Sequence, residues 1–119
     1  SNAADLLLSG RKFLGAEAAE LGLATRALPA DEVLPAALER ARDIADNAAP
    51  VSVAIAKRLL WEGIDATVPE MQRREEPLFA WAGNQPDARE GVDSFLERRK
   101  PEWKLAVPRD RPDLLPSGK

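Results

Sequence analysis

The sequence predicts a mainly α-helical fold that contains one short β-strand. Apolar residues recur every three or four positions through most of the chain, which is the spacing of one face of a helix. The pattern changes to period two only over residues 23–29, LATRALP, where Leu23, Thr25 and Ala27 alternate with Ala24, Arg26 and Leu28 before a proline. A single strand is unstable in water. Residues 23–29 must therefore pair with a sheet that this chain does not contain, or lie as extended backbone.

Composition excludes several classes of protein. The chain has 119 residues, of which 45% are hydrophobic and 31% charged, a balance typical of a folded domain. It contains no cysteine and no histidine, which removes thiolate metal sites and the usual general base. The net charge of -3 disfavours non-specific nucleic-acid binding. No apolar run approaches the roughly 20 residues of a membrane span. We expect no nucleic-acid or membrane partner and a cytoplasmic location.

Two glycines, Gly10 and Gly22, are each predicted to end a short helix in the N-terminal segment. Ser1-Asn2-Ala3 resembles the scar left when an affinity tag is cleaved from a recombinant protein. The apolar stub that follows is typical of the last turns of a helix that starts before this chain, closed by Gly10 in a left-handed conformation. Residues 16–21 are strong helix formers, and Gly22 is placed to end that short helix.

Longer helical patterns fill the middle of the chain. Asp31 is a plausible N-cap, and the apolar stripe behind it keeps helical spacing to about Asp46. Pro50 starts another helix, whose apolar residues lie on most faces and predict a well-buried element. The segment VPEMQRREEPLFAWAG predicts a further helix, in which Pro77 should cause a kink or a break.

The last predicted helix begins with a capping-box pattern, Asp87-x-x-Glu90. From Pro101 onward the chain contains four of its ten prolines, which predicts a flexible or surface-draped extension that forms no regular helix. These patterns divide the chain into three parts: a scar (1–3), a helical region (4–103) and a proline-rich tail (104–119).

No catalytic constellation is visible in the sequence. Carboxylates are the only candidates for acid-base chemistry, and each follows a helical pattern beside Arg, Lys or Ala, which indicates surface charge. The candidates are Glu17, Glu20, Glu62, Glu75, Glu76 and Glu90. No glycine-rich phosphate loop and no metal-ligand spacing is present.

A basic cluster is the remaining candidate for binding. Arg98, Arg99 and Lys100 follow Phe95 at the end of the last predicted helix. Solvated charge, contact with a partner subunit and binding of a phosphorylated ligand all explain such a cluster. Arg forks and Lys point charges both suit phosphate. The residues by themselves leave these alternatives open.

Taken in order, several short motifs resemble one family. Over roughly residues 4–103 the chain is similar to the C-terminal part of the enoyl-CoA hydratase/isomerase family, the crotonases. Each motif is weak when taken alone, and their order and spacing carry the resemblance. The motifs are Ser9-Gly10-Arg11 with Phe13, Ala16-x-x-Ala19-x-x-x-Gly22-Leu23, the Pro50 helix reaching Ala56-Lys57, and Glu90-Gly91 leading to Phe95-Leu96-Glu97-Arg98-Arg99-Lys100-Pro101.

The resemblance implies a helical trimerisation region of a crotonase-like fold, with the N-terminal core of ββα units outside this chain. It implies trimers, often paired into hexamers. The family adds water to 2-enoyl-CoA thioesters or shifts their double bond, using glutamates and two backbone N–H donors. It implies no metal or redox cofactor, with coenzyme A entering as part of the substrate. No position here matches those catalytic groups, so we expect this chain alone to be inactive.

The resemblance also implies a binding role for the end of the last helix. Phe95 and Arg98 match positions that face the adenine and phosphate end of coenzyme A bound mainly by a neighbouring subunit. Many members have Lys where Arg98 stands. Arg99 and Lys100 are further candidates for phosphate contact. The alternative is a free-standing helical module whose exposed apolar faces bind a protein partner.

Overall fold

A computed structural model describes residues 2–112, and these residues are mainly helical, as the sequence predicts. They fall into two compact units that divide between Arg40 and Ala41. Seven helices occupy the described residues: α1 (Asn2–Ser9), α2 (Gly15–Glu20), α3 (Ala30–Asn47), α4 (Pro50–Glu62), α5 (Val68–Gly83), α6 (Pro86–Glu97) and α7 (Val107–Asp110).

Gly10 and Gly22 in the N-terminal unit both have a left-handed backbone, as the sequence predicts for Gly10. Gly10 follows α1 with φ +60°, and its N–H donates to the carbonyl oxygen of Leu6 at 3.1 Å. Gly22 follows α2 with φ +76°. Glycine adopts these angles without the steric cost of a Cβ atom, so each helix ends where its glycine stands.

The predicted strand at 23–29 is wrong. The N–H groups of Leu23 and Ala24 both donate to the carbonyl oxygen of Ala18, which ties the start of this segment to the end of α2. Residues 26–29 have neither helical nor strand structure. Period-two spacing cannot make a strand without a partner, and the described residues contain no other strand to pair with.

Helix α3 begins at Ala30, two residues earlier than an N-cap at Asp31 would place it. Asp31 lies within its first turn and is not its N-cap, a position where a carboxylate still favours the positive end of the helix dipole. Helix α3 ends at Asn47, one residue beyond the predicted end near Asp46.

Pro77 does not break α5, so the expectation of a break is wrong, and a kink there stays a prediction. The helix continues from Val68 to Gly83 with Pro77 inside it. Because proline has no N–H, the carbonyl group of Arg73 lacks its usual partner one turn later. Pro77 is on the exposed side of the helix, where water can satisfy that carbonyl group.

The C-terminal unit has a small apolar core. Val51 and Ile55 of α4 and Leu78 of α5 are each less than 10% exposed. Three partly buried side chains pack against this cluster: Leu59, Trp81 and Leu105. Helix α4 contacts α5 and α7, and α5 also contacts α6.

Helix α4 is only half buried, which corrects the expectation of a well-buried element. Leu60 is 76% exposed and Trp61 is 68% exposed. Only one side of α4 meets the rest of the C-terminal unit, so the apolar residues on its other faces remain in solvent. No helix within residues 2–112 is both long enough and apolar enough to cross a lipid bilayer.

Candidate functional site

The end of α6 is a left-handed turn centred on an arginine. Arg98 has φ 54° and ψ 39°, and it is the only non-glycine residue with positive φ between residues 2 and 112. Its N–H donates to the carbonyl oxygen of Phe95 at 3.3 Å, and the N–H of Arg99 donates to that of Ser94 at 3.0 Å. These two bonds form a Schellman motif, in which the left-handed position is usually glycine.

An aromatic ring and a cation are exposed at this turn. Phe95 is 81% exposed. The Arg98 guanidinium makes no hydrogen bond or ion pair with any residue that the structure describes. Val92 and Leu96, on the same helix, are also exposed. These three apolar side chains of α6 (Val92, Phe95 and Leu96) therefore face away from the core, where they are available to a ligand or partner.

Arg99, by contrast, is fully engaged within the chain. Its Nη1 and Nη2 donate to the two carboxylate oxygens of Glu90 at 2.5 and 3.0 Å. Its Nε donates to Glu97 at 2.5 Å. Lys100 is 86% exposed at its side chain, and its Nζ lies 3.8 Å from a carboxylate oxygen of Asp46. The three consecutive cations thus have three different environments.

Glu90 is the electrostatic centre of this region. Its carboxylate is 15% exposed and also accepts a hydrogen bond from the N–H of Glu102 at 2.7 Å. The hydrogen bonds from Arg99, followed by the one from the Glu102 N–H, lower the pKa of Glu90 to about 2. The same pair raises the pKa of Arg99. Both groups therefore keep their charges across the physiological range.

After the turn the chain runs back along α6. We call residues 98–105 the return segment. Asp87, which is 5% exposed, accepts hydrogen bonds from the N–H groups of Lys104 at 2.7 Å and Leu105 at 3.3 Å. Glu90 holds the same segment at Glu102. Two carboxylates one turn apart on α6 thus anchor the backbone that follows the helix.

The predicted capping box at Asp87 and Glu90 is therefore wrong. Helix α6 begins at Pro86 with Gln85 as its N-cap, two residues earlier than a cap at Asp87 would place it, because proline suits the first turn of a helix. A T-x-x-E capping pattern occurs instead at Thr67 of α5. There the carboxylate of Glu70 accepts hydrogen bonds from the Thr67 N–H and hydroxyl, both at 2.7 Å.

Trp103 fixes the middle of the return segment. Its Nε1–H donates to the carbonyl oxygen of Asp46 at 3.3 Å. Its ring lies 3.7 Å from the point that a Cβ atom on Gly91 would occupy. The absence of a side chain at Gly91 therefore gives the indole ring a flat surface on α6. This contact explains the glycine inside the helix, which would otherwise lower helix stability.

The described part of the tail contains one helical turn, which corrects the expectation that no regular helix forms there. Helix α7 (Val107–Asp110) has Pro108 in its first turn, where a missing N–H is tolerated. The carboxylate of Asp110 accepts a hydrogen bond from the Ala106 N–H at 2.8 Å. Pro112 is buried. Residues 113–119 of the predicted tail lie outside the described residues.

A separate apolar groove lies in the C-terminal unit. It has a volume of about 960 Å³ and is lined mainly by α4 and α5, with Leu78 at its base. Leu60, Ile64 and Phe79 line it and are each more than two thirds exposed. Phe95 and Arg98 do not line this groove. The two exposed features are thus different surfaces of the same unit.

Besides Glu90, two of the candidate carboxylates lie in ion pairs within the described residues. Glu17 pairs with Arg11 at 2.6 Å, and Glu62 pairs with Arg58. Within residues 2–112 no three acidic side chains come together as a group that could hold a metal ion. The sequence pattern predicts that Glu90 is a solvated surface charge. In the structure its carboxylate instead accepts a hydrogen bond from the return segment.

Comparisons with known proteins agree on one family. The family model described as Enoyl-CoA hydratase/isomerase matches residues 1–106. A probable mitochondrial enoyl-CoA hydratase of Dictyostelium discoideum is 32% identical over 103 residues, which are 87% of this chain and 37% of that protein. A probable enoyl-CoA hydratase of Rhizobium meliloti is 35% identical over 104 residues, which are 87% of this chain and 40% of that protein.

A solved structure gives the same result. The crystal structure of a probable enoyl-CoA hydratase/isomerase from Mycobacterium abscessus superposes with a TM-score of 0.83 at 43% sequence identity. The match covers 87% of this chain and 41% of that protein. The chain thus spans about two fifths of the length of the relatives that it matches. Since the family model matches most of the sequence, the chain belongs to the enoyl-CoA hydratase/isomerase family.

Proposed function

We propose that this chain is the C-terminal helical region of an enzyme that acts on acyl-CoA thioesters. We further propose that the end of α6 forms one edge of its coenzyme A site. Phe95 supplies an exposed ring on which adenine can stack, and Arg98 supplies a guanidinium that suits a phosphate group. The resemblance of this segment to the family supports the same pair of residues.

One observation carries this proposal. Arg98 adopts a backbone conformation that glycine would adopt at lower cost, and its cation has no partner among the residues described. A costly backbone conformation that is retained at an exposed charge is typical of a binding site. Arg99 is a weaker candidate for phosphate contact, because its donors already face Glu90 and Glu97. Lys100 remains a candidate.

The proposed reaction of the whole protein is hydration of a 2-enoyl-CoA in fatty-acid metabolism, or isomerisation of its double bond. The relatives named as enoyl-CoA hydratases support this class. We propose that the catalytic glutamates and oxyanion donors come from outside these 119 residues and that no metal or redox cofactor takes part. The purified chain should therefore hydrate crotonyl-CoA no faster than buffer. Hydration above that background would contradict this part of the proposal.

Binding by the chain itself tests the proposed site. Isothermal titration should show that adenosine 3′,5′-bisphosphate, the adenine end of coenzyme A, binds more tightly than 4′-phosphopantetheine, the other end. Arg98→Ala should weaken binding about tenfold, the loss expected for a charge-assisted hydrogen bond. Phe95→Ala should also weaken it.

The matched control is Arg89→Ala, which removes another exposed cation, from the body of α6. It should change affinity by less than about twofold, since a distant exposed charge is largely screened. Equal losses in Arg89→Ala and Arg98→Ala would show a general charge effect and contradict the proposed site.

We also propose that the whole protein forms a homo-oligomer, a trimer or hexamer, through the apolar surfaces of this region. The groove beside Leu60 and Phe79 supports a protein contact, because large exposed apolar surfaces are typical of interfaces. Light scattering of the chain should show self-association that rises with concentration, and Phe79→Asp should reduce it. A monomer over a wide concentration range would contradict this proposal.

The same groove supports an alternative, a helical module that binds a different protein. A whole protein that neither binds coenzyme A nor hydrates crotonyl-CoA would favour that alternative. The acidic balance of the chain supports the further proposal that no nucleic acid is bound. A cytoplasmic location stays a prediction, which imaging of the tagged whole protein would test.

A further inference from the structure

We infer that Glu90 is a positioning residue, which holds through Arg99 and Glu102 the left-handed turn that presents Arg98 to the ligand. This inference rests on the proposed coenzyme A edge and adds to it a residue that does not itself touch the ligand. Three observations lead to it: the strained turn, the engagement of Arg99, and the anchoring of the return segment.

The turn needs support from outside itself. A non-glycine residue with φ near +54° is disfavoured by its own Cβ atom, and such residues persist where their surroundings fix them. The two backbone bonds of the Schellman motif close the turn but leave its later residues free to rotate away. Contacts beyond Arg98 must therefore set the direction in which the chain leaves α6.

Glu90 supplies those contacts from about two turns earlier on the helix. Its carboxylate binds the guanidinium of Arg99 with two parallel hydrogen bonds, a geometry that fixes orientation as well as distance. The oxygen that accepts from Arg99 Nη1 also accepts from the N–H of Glu102. One rigid helical residue thus fixes the chain immediately after Arg98 and again four residues after it.

This arrangement gives two adjacent arginines opposite roles. The guanidinium of Arg99 is paired with Glu90 and Glu97, and it stabilises the turn. Arg98 makes no side-chain bond to the described part of the chain and remains available for an anion. Glu90 also neutralises the charge of Arg99, so Arg99 does not compete with Arg98 for a phosphate group.

Solution NMR of the 119-residue chain tests the hold on the turn without any ligand. A positive φ brings the amide and α hydrogens of Arg98 close together and gives a strong NOE between them. Glu90→Gln should weaken this NOE, because an amide cannot pair with Arg99 as a carboxylate does. Asp93→Asn, which removes an exposed carboxylate from the same helix, should leave it unchanged.

A double-mutant cycle connects the turn with binding. Glu90→Gln should weaken binding of adenosine 3′,5′-bisphosphate about threefold but cause no further loss in the Arg98→Ala background, since coupled residues are non-additive. Arg99→Lys, which keeps the charge and loses the fork, should give an intermediate loss. A general structural role would instead lower affinity equally in both backgrounds.

The outcomes separate this inference from the proposed function. A full Arg98 NOE in Glu90→Gln, or the same loss of affinity with and without Arg98, would overturn the inference. Unchanged binding in Arg98→Ala would contradict the coenzyme A edge itself, whatever the NOE shows. Loss of the NOE with a non-additive cycle would support both.

Discussion

The guanidinium of Arg99 donates two hydrogen bonds, of 2.5 and 3.0 Å, to the carboxylate of Glu90, nine residues earlier. This pair gives Arg99 a different environment from the cations on either side of it. Arg99 belongs to the structure of the turn, whereas Arg98 faces solvent beside Phe95. A basic triplet in a sequence therefore need not be one binding feature, because its members leave the chain in different directions.

The Glu90 carboxylate should make the free energy of unfolding depend on pH in the acidic range. Its pKa falls from the ordinary 4.5 to about 2 in the folded chain, so the unfolded chain takes up a proton first as the pH drops. The contribution of Glu90 is complete above pH 4.5 and is lost progressively down to about pH 2. Denaturant unfolding across this range should show a shallower decline in Glu90→Gln than in the original chain. Identical slopes would count against the ion pair.

Replacing Arg98 by glycine should stabilise the fold. The left-handed conformation costs a non-glycine residue about 1–2 kcal/mol, and the greater freedom of glycine in the unfolded chain offsets about 0.5–1 kcal/mol of this. We expect Arg98→Gly to raise the free energy of unfolding by about 0.5–1 kcal/mol while weakening adenosine 3′,5′-bisphosphate binding. Denaturant unfolding and titration measure the two effects. A destabilised Arg98→Gly chain would contradict the assigned turn.

The small core of the C-terminal unit should be sensitive to truncation at Leu78. This side chain is 3% exposed and packs with Val51 and Ile55, so Leu78→Ala leaves a cavity. We expect a loss of about 2–4 kcal/mol in the free energy of unfolding. Leu96→Ala is the matched control, because Leu96 is 71% exposed. Its cost should stay within about 0.5 kcal/mol, and equal losses would contradict the assigned core.

Asp87 should hold the return segment against α6. Its buried carboxylate accepts from the N–H groups of Lys104 and Leu105, and Asp87→Ala leaves both donors without this acceptor. We expect a loss of about 1–3 kcal/mol and faster hydrogen exchange at these two amides. Asp93→Ala, an exposed change on the same helix, should affect neither. An unchanged hydrogen-exchange rate at the Lys104 amide of Asp87→Ala would contradict the claim that Asp87 holds the return segment.

Much of the helical structure is predictable because its signals are local. Apolar spacing locates α3 and α4, and the steric freedom of glycine locates the turns at Gly10 and Gly22. Whether residues 23–29 form a strand is not predictable in this way, and in the structure they do not. Strand formation depends on a partner strand, which local spacing does not reveal.

The candidate site is predictable only in part. Phe95 and Arg98 are proposed as site residues because of their place in a family motif, and that assignment stays a prediction. The roles of Asp87 and Glu90 depend on backbone groups 12 to 18 residues later, so no helical pattern could reveal them. The available signal was two acidic residues one turn apart, followed by an extended proline-containing segment.

Mapping a ligand onto the chain by NMR tests the central claim most directly. Adding adenosine 3′,5′-bisphosphate to the ¹⁵N-labelled chain should shift the amide signals of residues 95–100 most strongly. The signal of Arg109, an exposed arginine on α7, should move little. The same titration of Arg98→Ala should abolish the shifts at 95–100. Shifts centred on the apolar groove, or shifts at the end of α6 that persist in Arg98→Ala, would contradict the claim.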